Sequence, residues 1–282
     1  MAARVTLMPA AAPSGADPLD VSDIARALTL SGCRDCVVEA VTVTGSTNED
    51  LVAQARLRQP SSPLLRAASF QTSGRGRRQR VWRAAPNDAL LFSVSIPVGV
   101  RPGWLPAITL ACGVALADRL ATHSVAVQLK WPNDVRINGC KLAGILTELA
   151  TDRNAAHTLV IGIGMNLHLD AAARSAIGQP AIALDQVLGK SAWESREQWI
   201  GELGGAIVEA SSRFMQDGFG PFQARFNQLL ESRGEVVDVS QGEGPEPAVS
   251  GRLIEVDRLG HLVIEAAGRR HSVSVGDVSV RQ

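Results

Sequence analysis

The chain has 282 residues with 28 basic and 28 acidic side chains, and 45% of its residues are hydrophobic. Its net charge of zero argues against a general nucleic-acid binder, which would carry a broad basic excess. It contains no apolar run of about 18 residues and no secretory signal, so we expect no membrane span and no membrane partner. One isolated Cys33-x-x-Cys36 pair disfavours a zinc site, leaves a redox role open and fits a reducing cytoplasm.

The N-terminal segment, residues 1–18, is rich in Ala and Pro, and it is predicted to be a mobile tail. Residues Leu19–Leu30 have apolar side chains at helical spacing, which predicts a short amphipathic helix. The residues before the first predicted strand, Val37–Val43, are too few for a winged helix-turn-helix as well as this helix. We therefore expect no DNA-binding module and no DNA partner.

A polar helix start follows the first strand. Ser46-x-x-Glu49 matches a capping box after a glycine turn, so a helix is predicted to begin there. Two interpretations are open for Ser46, Thr47 and Asn48. They either only cap the helix or present its free N–H groups and their own side chains to a ligand.

The predicted strand Leu64–Gln71 leads into a basic segment, Gly74–Trp82, which we call the arginine loop. Its guanidinium groups are permanent cations with forked donors that suit phosphate or carboxylate, and its glycines allow a ligand to approach the backbone. Trp82 offers a flat face for stacking. The loop is expected to move until an anion orders it, and a merely solvated basic loop is the alternative. Its arginines are Arg75, Arg77, Arg78 and Arg80.

The middle of the chain alternates strands and one long helix. A buried strand is predicted at Ala89–Pro97, a mostly apolar helix at Gly103–Leu120 and a further strand at Val125–Lys130. The last of these ends in Lys130-Trp131-Pro132-Asn133-Asp134, where polar turn residues at a strand end are typical of a functional site.

An Asn138-Gly139 hairpin turn leads into the next predicted strand, Cys140–Glu148. Lys141 near its start is by itself more typical of a solvated surface charge, and Gly144 within it suggests a close backbone approach. The following strand, Thr158–Gly164, carries Gly162-x-Gly164, a weak phosphate motif that leaves a groove a ring could fill.

This order of elements predicts an α+β fold with a mixed or antiparallel sheet rather than a doubly wound parallel one. Two amphipathic helices are predicted at Ser191–Met215 and Phe219–Arg233. After Gly234 five short strands alternate with turns, which predicts a small all-β barrel. The expected division is a tail at 1–18, a catalytic domain at 19–233 and a β domain at 234–282.

Five motifs occur in order, and together they resemble those of biotin–protein ligase, also called biotin–[acetyl-CoA-carboxylase] ligase. The resemblance covers about residues 20–282, and it departs from the family at Gln79, where the family loop often has glycine. It implies the fold of biotin and lipoate ligases, which is similar to class II aminoacyl-tRNA synthetases, with a C-terminal SH3-like barrel. It also implies the ligase-only form without an N-terminal DNA-binding domain. The motifs are Ser46-Thr47-Asn48, Gly74–Trp82, Lys130–Asp134, Lys141–Glu148 and Gly162–Asn166.

The resemblance implies a two-step ATP-dependent reaction with Mg²⁺. Biotin is first activated as biotinyl-5′-AMP and then transferred to a lysine of a biotin carboxyl carrier protein, such as that of acetyl-CoA carboxylase. The implied catalytic residues are Lys141, Arg75, Arg77 and Asp134, with Asp134 also the candidate Mg²⁺ ligand. The implied biotin-binding residues are Ser46, Thr47, Asn48, Gln71, Arg75, Gly76, Arg77, Lys141, Gly144, Gly162 and Gly164. The implied ATP- and adenylate-binding residues are Arg78, Arg80, Trp82, Lys130, Asn133 and Asn166.

Two other functions are compatible with parts of the pattern. A lipoate–protein ligase has a related fold and chemistry, but it would need a longer apolar tunnel and its own arginine–glycine signature. A ligand-sensing or nucleic-acid-binding protein could also use the arginine loop, and it would bind without turning over ATP.

Overall fold

The computed structural model describes residues 15–99, 107–189, 192, 195–240 and 249–280. Most of the predicted N-terminal tail, the first residues of the helices predicted from Gly103 and Ser191, and the turn at 242–245 lie outside these residues. The described end of the tail segment contacts the loop before the third strand. The Asn87 side chain donates to Gly15 O at 2.6 Å and accepts from Asp17 N at 3.1 Å.

Seven α-helices and twelve strands form in the described residues. The helices are α1 (Val21–Leu30), α2 (Thr47–Leu57), α3 (Ile108–Thr122), α4 (Ala171–Ile177), α5 (Asp185–Leu188), α6 (Arg196–Asp217) and α7 (Gly220–Leu229). The strands are β1 (Val37–Thr44), β2 (Leu64–Gln71), β3 (Ala89–Val98), β4 (Gln128–Lys130), β5 (Asp134–Ile137), β6 (Cys140–Thr151), β7 (His157–Asn166), β8 (Val236–Ser240), β9 (Val249–Val256), β10 (Leu262–Ala266), β11 (Arg269–Val273) and β12 (Asp277–Val280). The short helices α4 and α5 were not predicted, because one or two turns show too little periodicity.

The first seven strands form one sheet in the order β1-β2-β3-β7-β6-β5-β4. Strands β1 and β2 are parallel, and every other neighbouring pair is antiparallel. The predicted α+β fold with a mixed sheet is therefore confirmed. The Asn138-Gly139 hairpin is also confirmed, since both residues take the positive φ angles, 49° and 75°, that a tight two-residue turn requires.

The sheet separates a large core from a smaller polar face. Side chains alternate between the two faces of a strand, and on β7 Leu159, Ile161 and Ile163 point into the core formed with α3 and α6. The intervening Val160 packs against α2, in a separate cluster that includes Leu51. Gly162, Gly164 and Asn166 have the same parity as Val160, so the α2 side of the sheet carries the polar motifs.

The last five strands form a second, antiparallel sheet in the order β11-β10-β9-β8-β12, which we call the C-terminal β unit. Its apolar side chains, including Val239 and Leu253, belong to the same buried cluster as the core of the first sheet. Trp131 Nε1 donates to Gly260 O at 3.1 Å and ties the two parts together. None of the helices in the described residues combines the length and apolarity needed to cross a membrane.

Candidate active site

A cavity of about 680 Å³ lies on the α2 side of the large sheet. Every residue that the sequence analysis assigned to the site lines this cavity, so residues from Ser46 to Asn166 meet there. Some polar groups contribute although the sequence analysis assigned them no role in the site: Ser93 and Asp277 line the cavity, and Glu148 accepts a hydrogen bond from Asn48, which also lines it. Ser93 lies within the strand predicted to be buried, Ala89–Pro97, where nothing in the sequence marks it as a site residue.

The start of α2 forms one end of the cavity. Ser46 caps the helix by accepting from Glu49 N at 3.5 Å, whereas the Glu49 carboxylate pairs with Arg75 at 2.7 Å. Thr47 N and Oγ1 both donate to Gln71 Oε1, at 2.7 and 3.0 Å, and Thr47 Oγ1 lies 2.8 Å from Ser93 Oγ. Because both contacts use Gln71 Oε1, the amide nitrogen of Gln71 is the donor that it can offer to a ligand.

Asn48 is held by its amide nitrogen. Its Nδ2 donates to Glu148 Oε2 at 2.5 Å, and its buried Oδ1 has no hydrogen-bond partner among the described residues. A Cβ atom on Gly162 would lie 2.5 Å from Asn48 Oδ1, so glycine is needed to seat this side chain. A buried acceptor without a partner is costly, and it suits a ligand N–H. Together with the Gln71 donor it complements a carbonyl flanked by N–H groups, as in an amide or a urea.

Trp82 fills the groove that the glycine motif predicted. A Cβ atom on Gly164 would lie 2.6 Å from Trp82 Cε2, and one on Gly144 would lie 3.4 Å from Cζ3. These glycines were expected to make room for a ligand. In the structure Gly144 and Gly164 make room for the indole, and Gly162 makes room for Asn48. Trp82 Nε1 is buried without a partner in the described part of the chain.

Lys141 lies inside the cavity rather than on a solvated surface. Its Nζ is 2.7 Å from Asp134 Oδ1, and the two side chains are only 17% and 19% exposed. Nζ also lies 5.8 Å from the centroid of the Trp82 ring, within the range of a cation–π contact. The antiparallel pairing of β5 with β6, with Asp134 opposite Gly144, places these groups on adjacent strands.

The arginine loop is closed by its own backbone. Gly76 N donates to Arg80 O at 2.7 Å, and Trp82 N donates to Gly74 O at 2.9 Å. Arg75 pairs with Glu49 at 2.7 Å and reaches Glu148 at 3.8 Å. We expected an anion to order this loop. In the structure, carboxylates of the chain itself provide part of that negative charge.

The other three arginines converge on Asp277 of β12. The distances from Arg77 Nη1, Arg78 Nη1 and Arg80 Nη2 to its carboxylate oxygens are 3.4, 3.1 and 2.8 Å. Arg77 Nη1 also donates to Asn133 Oδ1 at 3.3 Å. Burial lowers the pKa of Arg77, and the charge of Asp277 opposes this shift.

Two asparagines hold the backbone around the cavity by hydrogen bonds. Asn133 Nδ2 donates to Ile145 O at 3.1 Å, and Asn166 Nδ2 donates to Lys141 O and Ile182 O at 3.2 and 3.1 Å.

Lys130 adds a cation to the cavity, and its pKa is lowered by burial and further by the charge of Arg136. The cavity therefore has a neutral hydrogen-bonding end at α2 and a strongly cationic end at the arginine loop.

Asp134 is the candidate metal ligand of this site. The described residues contain no group of three His, Cys, Asp or Glu side chains that could together hold a metal ion. A single carboxylate fits a Mg²⁺ ion only when the ion brings its other ligands, as it does when it is bound to phosphate oxygens.

The comparisons with known proteins agree with this geometry. Residues 40–166 match the model of the biotin/lipoate A/B protein ligase family. A biotin–[acetyl-CoA-carboxylase] ligase of Mycobacterium tuberculosis is 32% identical over 274 residues, covering 93% of this chain and 95% of that protein. The bifunctional ligase/repressor BirA of Escherichia coli is 28% identical over 86% of this chain and 74% of its own length.

A solved structure of a biotin protein ligase is also similar to this chain. The biotin protein ligase of Aquifex aeolicus in complex with biotin and ATP has a TM-score of 0.70 and 26% identity, over 87% of this chain and 99% of that one. The fold, the cavity and the Mycobacterium tuberculosis relative that matches over nearly its full length lead to one conclusion: the chain belongs to the biotin protein ligase family.

Proposed function

We propose that the protein is an ATP-dependent biotin–protein ligase, which activates biotin as biotinyl-5′-AMP and transfers it to a lysine of a biotin carboxyl carrier protein. The observation that carries this proposal is the cavity with one neutral and one cationic end. All the site residues that the sequence resemblance implies line this cavity. The name of the Mycobacterium tuberculosis relative and the biotin and ATP bound in the similar Aquifex aeolicus structure support it.

The neutral end of the cavity suits the ureido ring of biotin. The ring carries one carbonyl and two N–H groups, and the cavity offers the Gln71 amide nitrogen as a donor and Asn48 Oδ1 as an acceptor. Ser46 and Thr47 add hydroxyl groups beside them. A ring held here directs its carboxylate tail away from α2 and towards the cationic end, where the reaction takes place.

The cationic end suits the first step. A carboxylate oxygen of biotin attacks the α-phosphorus of ATP, the bond to the bridging oxygen breaks, and pyrophosphate leaves. Two anions must come together, so cations are needed to reduce their repulsion and to stabilise charge in the transition state. Lys141 is anchored by Asp134 for this task, Arg75 and Arg77 bind the carboxylate and phosphate region, and Arg78 and Arg80 attract the outer phosphates.

A Mg²⁺ ion bound together with ATP would offset the charge of the phosphates. Asp134 would be its one protein ligand, and it borders the cavity beside Lys141. Trp82 presents a ring face on which the adenine stacks, while Lys130, Asn133 and Asn166 border the nucleotide.

In the second step the amine of the carrier lysine attacks the acyl carbon of biotinyl-5′-AMP, an amide bond forms, and AMP leaves. The amine must lose a proton, and we assign the Asp134 carboxylate to orient the amine and to accept that proton. Closure of the arginine loop over the adenylate excludes water, which would otherwise hydrolyse the mixed anhydride.

The finer organisation forms part of the same proposal. We take residues 19–233 as the catalytic domain and 234–282 as a small domain with an SH3-like barrel, which the five antiparallel strands β8–β12 support. The acceptor is the carrier domain of acetyl-CoA carboxylase or of a related biotin-dependent carboxylase. The free thiols Cys33, Cys36, Cys112 and Cys140 support a reducing compartment such as the cytoplasm.

Pyrophosphate exchange into ATP tests the first step and separates this function from lipoate activation. We expect exchange with biotin and none above background with lipoate, because the neutral end offers amide groups rather than an apolar tunnel. Exchange that lipoate supports as well as biotin would contradict the assignment. Binding of biotin without any exchange would instead favour a sensing protein.

A further inference from the structure

One carboxylate of the C-terminal β unit reaches the arginine loop. Asp277 is the first residue of β12, and its carboxylate contacts Arg77, Arg78 and Arg80 within 3.4 Å. Asp277 itself is 31% exposed and lines the cavity. These contacts join residues about two hundred positions apart, so they exist only when the C-terminal β unit is docked on the catalytic domain.

The loop needs such a partner. Four guanidinium groups within six residues repel one another, and the side chain of Arg77 has only 28% of its surface exposed to water. Two of the loop residues, Arg78 and Gln79, take positive φ angles of 53° and 58°, a region that non-glycine residues disfavour. Without a neighbouring anion, both repulsion and backbone strain favour an open loop.

The contacts leave the arginines able to bind a ligand. The Asp277 carboxylate accepts a hydrogen bond from one nitrogen of each guanidinium. The donors are Nη1 of Arg77, Nη1 of Arg78 and Nη2 of Arg80. Each guanidinium has five N–H donors, so further donors remain on all three. Three positive charges against one negative charge also leave an excess of positive charge, which a polyphosphate can match and one carboxylate cannot.

We propose that Asp277 is a positioning residue for the nucleotide: it holds the phosphate-binding arginines of the loop in their binding arrangement before ATP arrives. Order already present in the ligand-free protein does not have to be supplied by the binding energy of ATP. The inference rests on the proposed function only for the identity of the anion. A carboxylate that competed with phosphate for the same cations would have the opposite effect, so the two alternatives predict changes of opposite sign in the KM for ATP when the charge of Asp277 is removed.

Steady-state kinetics decide between them. Asp277→Asn keeps the shape and removes the charge, so we expect the KM for ATP to rise about fivefold or more, while kcat at saturating ATP changes less than about twofold. Asp277→Glu should restore the KM to within about twofold. Asp118→Asn is the matched control, because Asp118 pairs with the exposed Arg225 away from the cavity, and it should leave both constants unchanged.

Tryptic cleavage of the ligand-free protein gives a second measurement that needs no substrate. Trypsin cuts after arginine, so we expect faster cleavage within Gly74–Trp82 in Asp277→Asn than in wild type or Asp118→Asn. An unchanged or lowered KM for ATP, or an unchanged cleavage rate, would overturn the proposal. Failure of the proposed function would look different: no biotinyl-5′-AMP would form in any variant, whatever the cleavage rates.

Discussion

Gln79 is the residue at which the chain departs from the family loop, and its backbone shows what the departure costs. Its φ of 58° lies in the left-handed region, where a non-glycine residue costs roughly 1–2 kcal/mol. Glycine adopts this conformation without that cost, which is a physical reason for a glycine there. The loop of this chain therefore closes against local strain, and its ion pairs offset that strain.

Substitutions at Gln79 test whether backbone strain at this position opposes closure of the loop. We expect Gln79→Val to raise the KM for ATP severalfold, because a β-branched residue at positive φ is strongly disfavoured and should open the loop. Gln79→Gly serves as the matched variant, and it should keep the KM within about twofold of wild type. Equal KM values for the two variants would show that backbone conformation at this position does not control closure.

We expect Cys33 and Cys112 to differ in reactivity because their surroundings differ. A hydrogen bond from Cys36 holds the pKa of Cys33 below its usual range, whereas burial raises the pKa of Cys112 to about 12. The thiolate is the reactive form, so at slightly alkaline pH we expect iodoacetamide to modify Cys33 at least about tenfold faster than Cys112. Mass spectrometry of the tryptic peptides measures both rates. Comparable rates at the two residues would refute this ordering.

At the scale of elements, much of the fold could be predicted from local patterns. The β-branched stretch of β1, the apolar run of β3 and the Asn138-Gly139 turn each carry their own signal, and the structure confirms them. The polar residues of the site could be recognised from their positions. Lys130–Asp134 lies at the end of a strand and Ser46-Thr47-Asn48 begins a helix, and packing alone does not require polar residues at such places.

Other parts of the site carry no local signal. Ser93 stands between the apolar residues Phe92 and Val94 of β3. Its place in the site becomes clear only from its hydrogen bond with Thr47. Asp277 resembles any acidic residue that follows a turn, and its importance depends on how a distant sheet docks. Glu148 was visible as the end of a motif, but the contact that orients Asn48 requires α2 to pack against β6.

The arginine loop is the element that should control how long the adenylate stays bound. Arg77 is half-buried and contacts both Asn133 and Asp277. We expect Arg77→Gly to speed dissociation of biotinyl-5′-AMP by on the order of tenfold to a hundredfold, since charged hydrogen bonds contribute about 1.5–3 kcal/mol. Stopped-flow tryptophan fluorescence measures this rate. Arg153→Gly, in an exposed turn, is the control, and a rate in Arg77→Gly no faster than in that control would contradict this role.

At the scale of the whole molecule, the C-terminal β unit contributes to the wall of the candidate active site through Asp277 and Val278. Its buried side chains continue the main hydrophobic core, and Trp131, within the Lys130–Asp134 motif, donates from Nε1 to Gly260 O. We infer that the two parts unfold together, since a shared core favours one cooperative transition. This coupling gives a structural reason why a carboxylate of β12 can act on the arginine loop.

Gly260 tests the docking of the two parts. Its φ is 82°, and a Cβ atom there would lie 2.6 Å from Ala107 Cβ. We expect Gly260→Ala to lower the melting temperature by roughly 5–10 °C, through backbone strain and overpacking together. Gly268→Ala is the matched control, because Gly268 has a φ of 69° with no atom within 4 Å of an added Cβ. Equal losses would show that strain alone matters and that the contact with Ala107 does not.

The measurement that tests the central proposal most directly is transfer of biotin to a carrier. The protein is incubated with biotin, Mg-ATP and a biotin carrier domain, and the carrier mass is determined intact and after digestion. We expect one biotinyl group on a single carrier lysine, dependent on ATP, and a rate at least about a hundredfold lower for Lys141→Ala, which loses a cation at the reacting groups but should remain folded by circular dichroism. An unmodified carrier with the wild-type protein, or a wild-type rate with Lys141→Ala, would contradict the assignment.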